Sequence, residues 1–198
     1  MEEGIRCFIA IELEAGLQAA LSELSRRLQR APLGRLGRWV AIEGIHLTLK
    51  FLGQIPTAQV PAIEQAIRAA CRGVSPFEMA IGGVGCFPNA QRPRVIWVGV
   101  EEPSGALQRL QLAVERELSC LGFRPEGRAF TPHLTLARIR DQAHDRERAE
   151  LGAWLRQQEV GRLGAMWVYQ ICLMRSVLQP TGAVYTRLAA VPLQPEEG

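Results

Sequence analysis

The sequence predicts an α+β fold of two pseudo-symmetric lobes, each a mainly antiparallel sheet with helices on its outer face, and a cleft between them. Three observations predict it. The tetrapeptide His46-Leu47-Thr48-Leu49 recurs 87 residues later as His133-Leu134-Thr135-Leu136. At ordinary residue usage a given histidine is followed by Leu-Thr-Leu well below about once in a thousand, so coincidence explains the pair poorly. Each copy alternates polar and apolar residues with the period of a half-buried strand. Each also sits in a half of the chain that has its own long amphipathic helix and neighbouring strands, with no linker between the halves.

Residues Phe8 to Ile11 read as a first strand. From about Ala15 to Arg30, leucines at 17, 21, 24 and 28 form a helical stripe that stops before Ala31-Pro32, predicting a covering helix. A loop rich in Gly and Arg leads to a short strand near Trp39 to Ala41, and the first motif strand follows from about Ile45 to Leu52. A helix is predicted from Thr57 through Cys71. Strands over Phe77 to Val84 and Arg94 to Val100 are joined around Phe87-Pro88-Asn89, and Leu107, Leu110, Val114 and Leu118 mark a second long helix. The second motif strand is expected near Ala129 to Ile139, then a charged helix from about Arg146 to Gln157. Two last strands, near Ala165 to Leu178 and Val184 to Val191, meet through Gln179-Pro180-Thr181-Gly182. The whole is expected to be one bilobal domain over residues 1–193, followed by a flexible polar tail over 194–198.

Composition narrows the class. The chain has 198 residues and a net charge of +3, and its longest apolar runs, such as Val95 to Val100, fall far short of a membrane span. Glu2, Glu3 and Arg6 stand where a signal peptide needs a basic and then an apolar run, so a cytoplasmic protein is expected. The five cysteines are scattered, without a Cys-x-x-Cys pair, and read as small buried residues of a reducing compartment. Among 23 basic residues only Lys50 is a lysine. Arginine forks suit phosphate, but so modest a total charge argues against a long grip on duplex nucleic acid and fits a short or terminal RNA segment better.

Alternation sends Leu47, Leu49, Leu134 and Leu136 to the core and leaves His46, Thr48, His133 and Thr135 on the opposite face. Within each copy the imidazole and hydroxyl stand roughly 7 Å apart, so one can reach what the other reaches. Two such strands lining one cleft make a phosphate trap with two imidazoles and two hydroxyls. A histidine titrates near neutral pH, so one ring can accept a proton from an attacking water or hydroxyl. The other, protonated, can supply one to a departing ribose oxygen, while the threonines donate to the non-bridging oxygens. Zinc usually takes at least three protein ligands, which this pair does not offer, so no metal and no cofactor is expected. His144, outside the repeat, reads as a solvated loop or helix-start residue.

These two motifs and their surroundings resemble the 2H phosphoesterase superfamily, and within it the bacterial and archaeal RNA 2′,3′-cyclic phosphodiesterases, historically called 2′-5′ RNA ligases. The resemblance takes in Arg6 to Ile11, Arg38-Trp39-Val40, Lys50-Phe51-Leu52-Gly53, Arg92 to Val100, Phe130-Thr131-Pro132, Ala137-Arg138 and Ser176 to Leu188, nearly the whole chain. It implies that His46 is the general acid and His133 the general base, with Thr48 and Thr135 holding the phosphate. It also suggests Arg138 as a phosphate contact. In a regular strand Arg138 would point to the leucine face, so it helps only if the strand bends or ends near Ala137. Lys50 shares the parity of His46 and Thr48, leaving open a phosphate contact or a solvated strand-end lysine.

The implied function is hydrolysis of RNA 2′,3′-cyclic phosphate ends, tRNA fragments among them, to 2′-phosphates, with 2′-5′ ligation as the weak reverse reaction. No membrane or obligate protein partner is implied. Two alternatives stay open: a phosphodiesterase of small cyclic nucleotides, and a nucleotide- or RNA-binding module that has lost turnover. Trp39, Phe51, Trp97 and Phe130 read as core residues or as platforms for bases.

Overall fold

The computed structural model describes residues 4–180 and 182–195. Its strands are β1 (Gly4–Glu12), β2 (Gly37–Trp39), β3 (His46–Pro56), β4 (Phe77–Phe87), β5 (Val95–Glu101), β6 (His133–Ile139), β7 (Arg162–Val168), β8 (Gln170–Gln179) and β9 (Gly182–Pro192). The helices are α1 (Ala15–Arg30), α2 (Val60–Cys71), α3 (Ala106–Ser119) and α4 (Asp145–Arg156). Each helix forms where its apolar stripe predicts. Leu17, Leu21, Leu24 and Leu28 of α1 are buried, as are Leu107, Leu110, Val114 and Leu118 of α3. The expected start of α2 at Thr57 is instead one 3-10 turn. The α-helix proper begins at Val60-Pro61, where a proline costs no intrahelical hydrogen bond. His144 caps α4: its backbone N–H donates to the Glu147 carboxylate at 3.1 Å, and that carboxylate also pairs with Arg35 at 2.7 Å.

The strands form one sheet in the order β7-β4-β5-β6-β3-β1-β8-β9, with β2 on β6. The two motif strands meet in the middle, through the single antiparallel pair Leu47 and Leu134. The sheet is therefore two antiparallel halves, β3-β1-β8-β9 and β6-β5-β4-β7, hinged at the repeat. The first half draws its strands from both ends of the chain and the second from its middle. Apolar side chains from both halves and all four helices make one continuous core, and a smaller cluster of Phe8, Ala10, Cys172 and Met174, with Tyr185 against it, lies apart from that core.

Two expectations need correction. The stretch Ala165 to Leu178 is not one strand but parts of β7 and β8, in opposite halves, with Tyr169 alone between them. The run Trp167-Val168-Tyr169-Gln170-Ile171 favours strand throughout, so no turn signal marks the switch. Five strands separate β7 from β8 in the sheet order, so the sheet must curl to bring them within one residue. Two of the helices, too, are exchanged between halves: α1, which follows β1, and α3, which precedes β6, each lie against the opposite half, while α2 and α4 stay on their own. α1 lies against β7 and α4 against β4, whereas α2 and α3 pack on each other and against β9 and β3. An apolar stripe says that a helix is covered on one face, not by which sheet.

Gln194, placed by the sequence at the start of a loose tail, exchanges backbone hydrogen bonds with Cys71 and Val74 at 3.1 Å each. Residues 196–198 of that tail, Glu2 and Glu3, and Thr181 of the β8–β9 turn lie outside the described residues. All five cysteines are free. Cys7, Cys71 and Cys172 are buried as expected, but Cys86 is only half-buried and Cys120 is exposed.

Candidate active site

β3 and β6 both begin on their histidine, and their first seven residues share one pattern of burial. Leu47, Leu49, Leu134 and Leu136 are buried, and both histidines and both threonines are half-buried on the other face. Leu47 pairs with Leu134, so an antiparallel register sets His46 beside Thr135 and Thr48 beside His133. The histidines are then diagonal neighbours, roughly 7–8 Å apart along the backbone. The sequence-predicted quartet is thus brought together at the seam of the two half-sheets.

Past the threonine, each strand carries a β-bulge at the same place. Along the regular run of β1, Ala10 faces Thr48, Ile9 faces Lys50 and Phe8 faces Phe51. Along β5, Trp97 faces Thr135, Ile96 faces Ala137 and Val95 faces Arg138. One extra residue, Leu49 or Leu136, resets the parity. Phe51 and Arg138 therefore join the histidine face, while Lys50 and Ala137 turn inward. The bend that Arg138 required is present, and its side chain is exposed.

Lys50, by contrast, is 1% exposed. Its Nζ donates to Glu115 Oε2 at 2.6 Å and to the Arg124 carbonyl at 2.9 Å, and Gln111 donates to the same carboxylate group. It is neither a solvated lysine nor a phosphate contact; it ties β3 to α3.

Both rings are held by the carbonyl two residues upstream. His133 Nδ1 lies 2.7 Å from the Thr131 carbonyl, and since a carbonyl only accepts, Nδ1 carries the proton and Nε2 is left for chemistry. A ring N–H of His46 likewise donates to the Gly44 carbonyl. Their surroundings differ. The His46 ring stacks on Phe8 with centroids 4.5 Å apart and meets the edge of Tyr185 at 5.0 Å. His133 meets Phe87 edge to face at 4.9 Å, and Phe87 in turn leans on Trp97 at 5.1 Å. Burial among these rings pushes the His46 pKa down to about 4, against the raising effects of the Gly44 carbonyl and the Glu12 carboxylate.

Sequence reasoning missed Phe8, Tyr185 and Phe87, the packing partners of the histidines, because nothing local announces a contact 139 residues away. It also missed Arg38, which lies directly opposite Arg138 across β2 and β6, both exposed. Like charges so placed repel, and an anion beside them relieves the repulsion. Of the four aromatics weighed as base platforms, Phe51 is 54% exposed on the histidine face. Trp39 and Phe130 pack against the core. Trp97 lies over Gly85, where a Cβ would come within 2.3 Å of its ring, and among the described residues its buried indole N–H has no partner.

Comparison with known proteins identifies the family and the fold. The LigT like phosphoesterase family matches the chain twice in succession, over residues 11–97 and 98–185, one match per motif. The RNA 2′,3′-cyclic phosphodiesterase of Methanothermobacter thermautotrophicus is 38% identical over 182 residues, covering 92% of this chain and 95% of that protein. That of Aeropyrum pernix is 38% identical over 149 residues, 75% of this chain and 82% of that protein. Among solved structures, TT0787 of Thermus thermophilus superposes with a TM-score of 0.78 at 28% identity, over 98% of this chain and all of that one. Escherichia coli LigT in its apo form gives 0.75 at 25% identity, over 97% of this chain and 99% of that one.

Proposed function

This chain belongs to the LigT-like phosphoesterase family, and we propose that it hydrolyses RNA 2′,3′-cyclic phosphate ends to 2′-phosphates by a two-histidine, metal-independent mechanism. The observation that carries the reading is the mirrored pair of His and Thr at the seam, each ring anchored through one N–H on the carbonyl two residues before it. The anchored edge fixes orientation, and the free nitrogen faces the substrate.

In the proposed reaction the His133 Nε2 takes a proton from water as the oxygen bonds to phosphorus. The bond from phosphorus to the 3′ oxygen breaks, and His46 protonates that oxygen. Thr48 and Thr135 donate to the non-bridging oxygens, and Arg138, with Arg38 opposite, balances their charge. His46 is neutral at pH 7 in the free protein, because burial holds its pKa near 4. The phosphate anion repays that desolvation, so His46 acquires its proton as substrate arrives.

By microscopic reversibility the same groups join a 2′,3′-cyclic phosphate to a 5′-hydroxyl. The working unit is proposed to be residues 1–193, acting in the cytoplasm on RNA ends such as those of tRNA fragments, without an obligate protein partner. Among the described residues no helix is long and apolar enough to cross a membrane.

The test is a short RNA ending in a 2′,3′-cyclic phosphate, incubated with the protein in excess chelator and read by mass and phosphorus resonance. A single 2′-phosphate product is expected. Loss of activity in chelator that zinc or manganese restores overturns the metal-free mechanism, and a 3′-phosphate product overturns the role of His46.

A further inference from the structure

Beside His46 opens a cavity of about 390 Å³, large enough for a nucleoside, which the proposed chemistry does not use. Trp167 and Tyr169 line one side of it, at the switch from β7 to β8. They are 48% and 58% exposed, and their rings are nearly parallel, 26° apart in plane with centroids separated by 6.3 Å. The residues between and beyond them, Val168 and Ile171, are buried, and the Tyr169 carbonyl accepts the Leu193 N–H at 2.8 Å. This is a two-ring stack presented to solvent, and among the described residues neither ring belongs to a core cluster.

The polar lining tells which part of a nucleotide it suits. Glu14, Glu43 and Gln18 offer carboxylate and amide groups, and the one arginine on the wall, Arg187, is already committed to Glu12 at 2.9 Å. Such a surface repels a phosphodiester backbone. It accepts the amino and imino hydrogens along the edge of a base, whose face extends the aromatic stack.

Resting on the proposed reaction at His46, we infer that this cavity is a base subsite: Trp167 and Tyr169 stack on the nucleobase of the nucleotide that bears the cyclic phosphate. His46 stands at once in the cavity wall and at the seam, so the subsite adjoins the place of the scissile phosphate. The preference is for a base of any identity, as stacking is tolerant of sequence.

The experiment compares wild type, Trp167→Ala, Tyr169→Ala and Trp167→Phe on two substrates: a short RNA with a 2′,3′-cyclic phosphate end, and 1-O-methylribose 2′,3′-cyclic phosphate, which has no base. Each alanine variant should raise KM for the RNA by about tenfold or more with kcat within about twofold. The loss should be confined to the substrate with a base, and Trp167→Phe should recover most of it. Equal losses on both substrates, or none on the RNA, overturn the subsite. If wild type hydrolyses neither substrate, the cyclic-phosphate reading has failed separately, and adenosine binding then decides. Saturable quenching of the tryptophan emission that is absent in Trp167→Phe supports the subsite, and its absence in wild type overturns it.

Discussion

The strands that open with His46 and His133 share a tetrapeptide, a bulge position and a seven-residue burial pattern, yet they differ at every place the tetrapeptide leaves free. After the bulge the inward residue is Lys50 in one and Ala137 in the other; the outward one is Phe51 in one and Arg138 in the other. His46 is enclosed by Phe8 and Tyr185, while among the described residues the one ring that meets His133 is Phe87. In the proposed reaction duplication supplies a symmetric frame for one phosphate, and the unlike neighbours suit the two copies to unlike jobs. A buried ring that resists its proton until an anion arrives suits an acid, and a ring with its Nδ1 proton on a carbonyl is ready as a base.

The sharpest break is to remove either ring. His46→Ala and His133→Ala should each lower turnover of an RNA cyclic phosphate by about two to four orders of magnitude, and the double variant should be little worse, since acid and base act as a unit. Near-normal hydrolysis by either variant, with folding verified by circular dichroism, would place the chemistry elsewhere.

Next is the contrast between the inward residues after the bulge. Lys50→Ala strands the Glu115 carboxylate in the core and should cost about 3 kcal/mol of unfolding free energy by urea titration, whereas Lys50→Met with Glu115→Leu should recover most of that. If Lys50→Ala is as stable as wild type, the ion pair does not hold β3 to α3.

The outward residues after the bulge should separate too. Arg138→Ala should lower kcat/KM by about ten- to a hundredfold, the scale of a lost hydrogen bond to a charged group, and Phe51→Ala by less than about tenfold. Equal effects would mean that the asymmetry of this position has no chemical meaning.

The smallest effect is a matter of pH. His46 has a pKa near 4 in the folded chain and about 6.5 unfolded, so below pH 6.5 the unfolded chain takes up a proton that the folded one refuses. Stability contributed by the neutral ring is complete above pH 6.5 and is lost as pH falls toward 4. Between pH 7 and 5, wild type should lose about 2 kcal/mol more than His46→Gln. In proton resonance titrations the His46 midpoint should rise when inorganic phosphate binds, and an unmoved midpoint would show that the anion does not lie against the ring.

Much of this protein is local and therefore legible. Leucine stripes fix α1 and α3, and period-two alternation sends Leu47 and Leu134 inward and His46 and His133 outward, because side-chain direction follows from the backbone geometry of a few consecutive residues. The repeat then identifies the quartet before any contact is known. What tertiary structure decided is everything that depends on a partner strand. Whether Lys50 or Arg138 faces the site turns on a bulge, which exists only relative to a neighbour; α1 and α3 cross to the opposite half because apolar stripes carry no address. The strand expected after Ala165 divides at Tyr169, since nothing in its β-favouring residues records which sheet each end joins. The depressed basicity of His46 comes from Phe8 and Tyr185, at opposite ends of the chain, and no reading of neighbours along the sequence contains it.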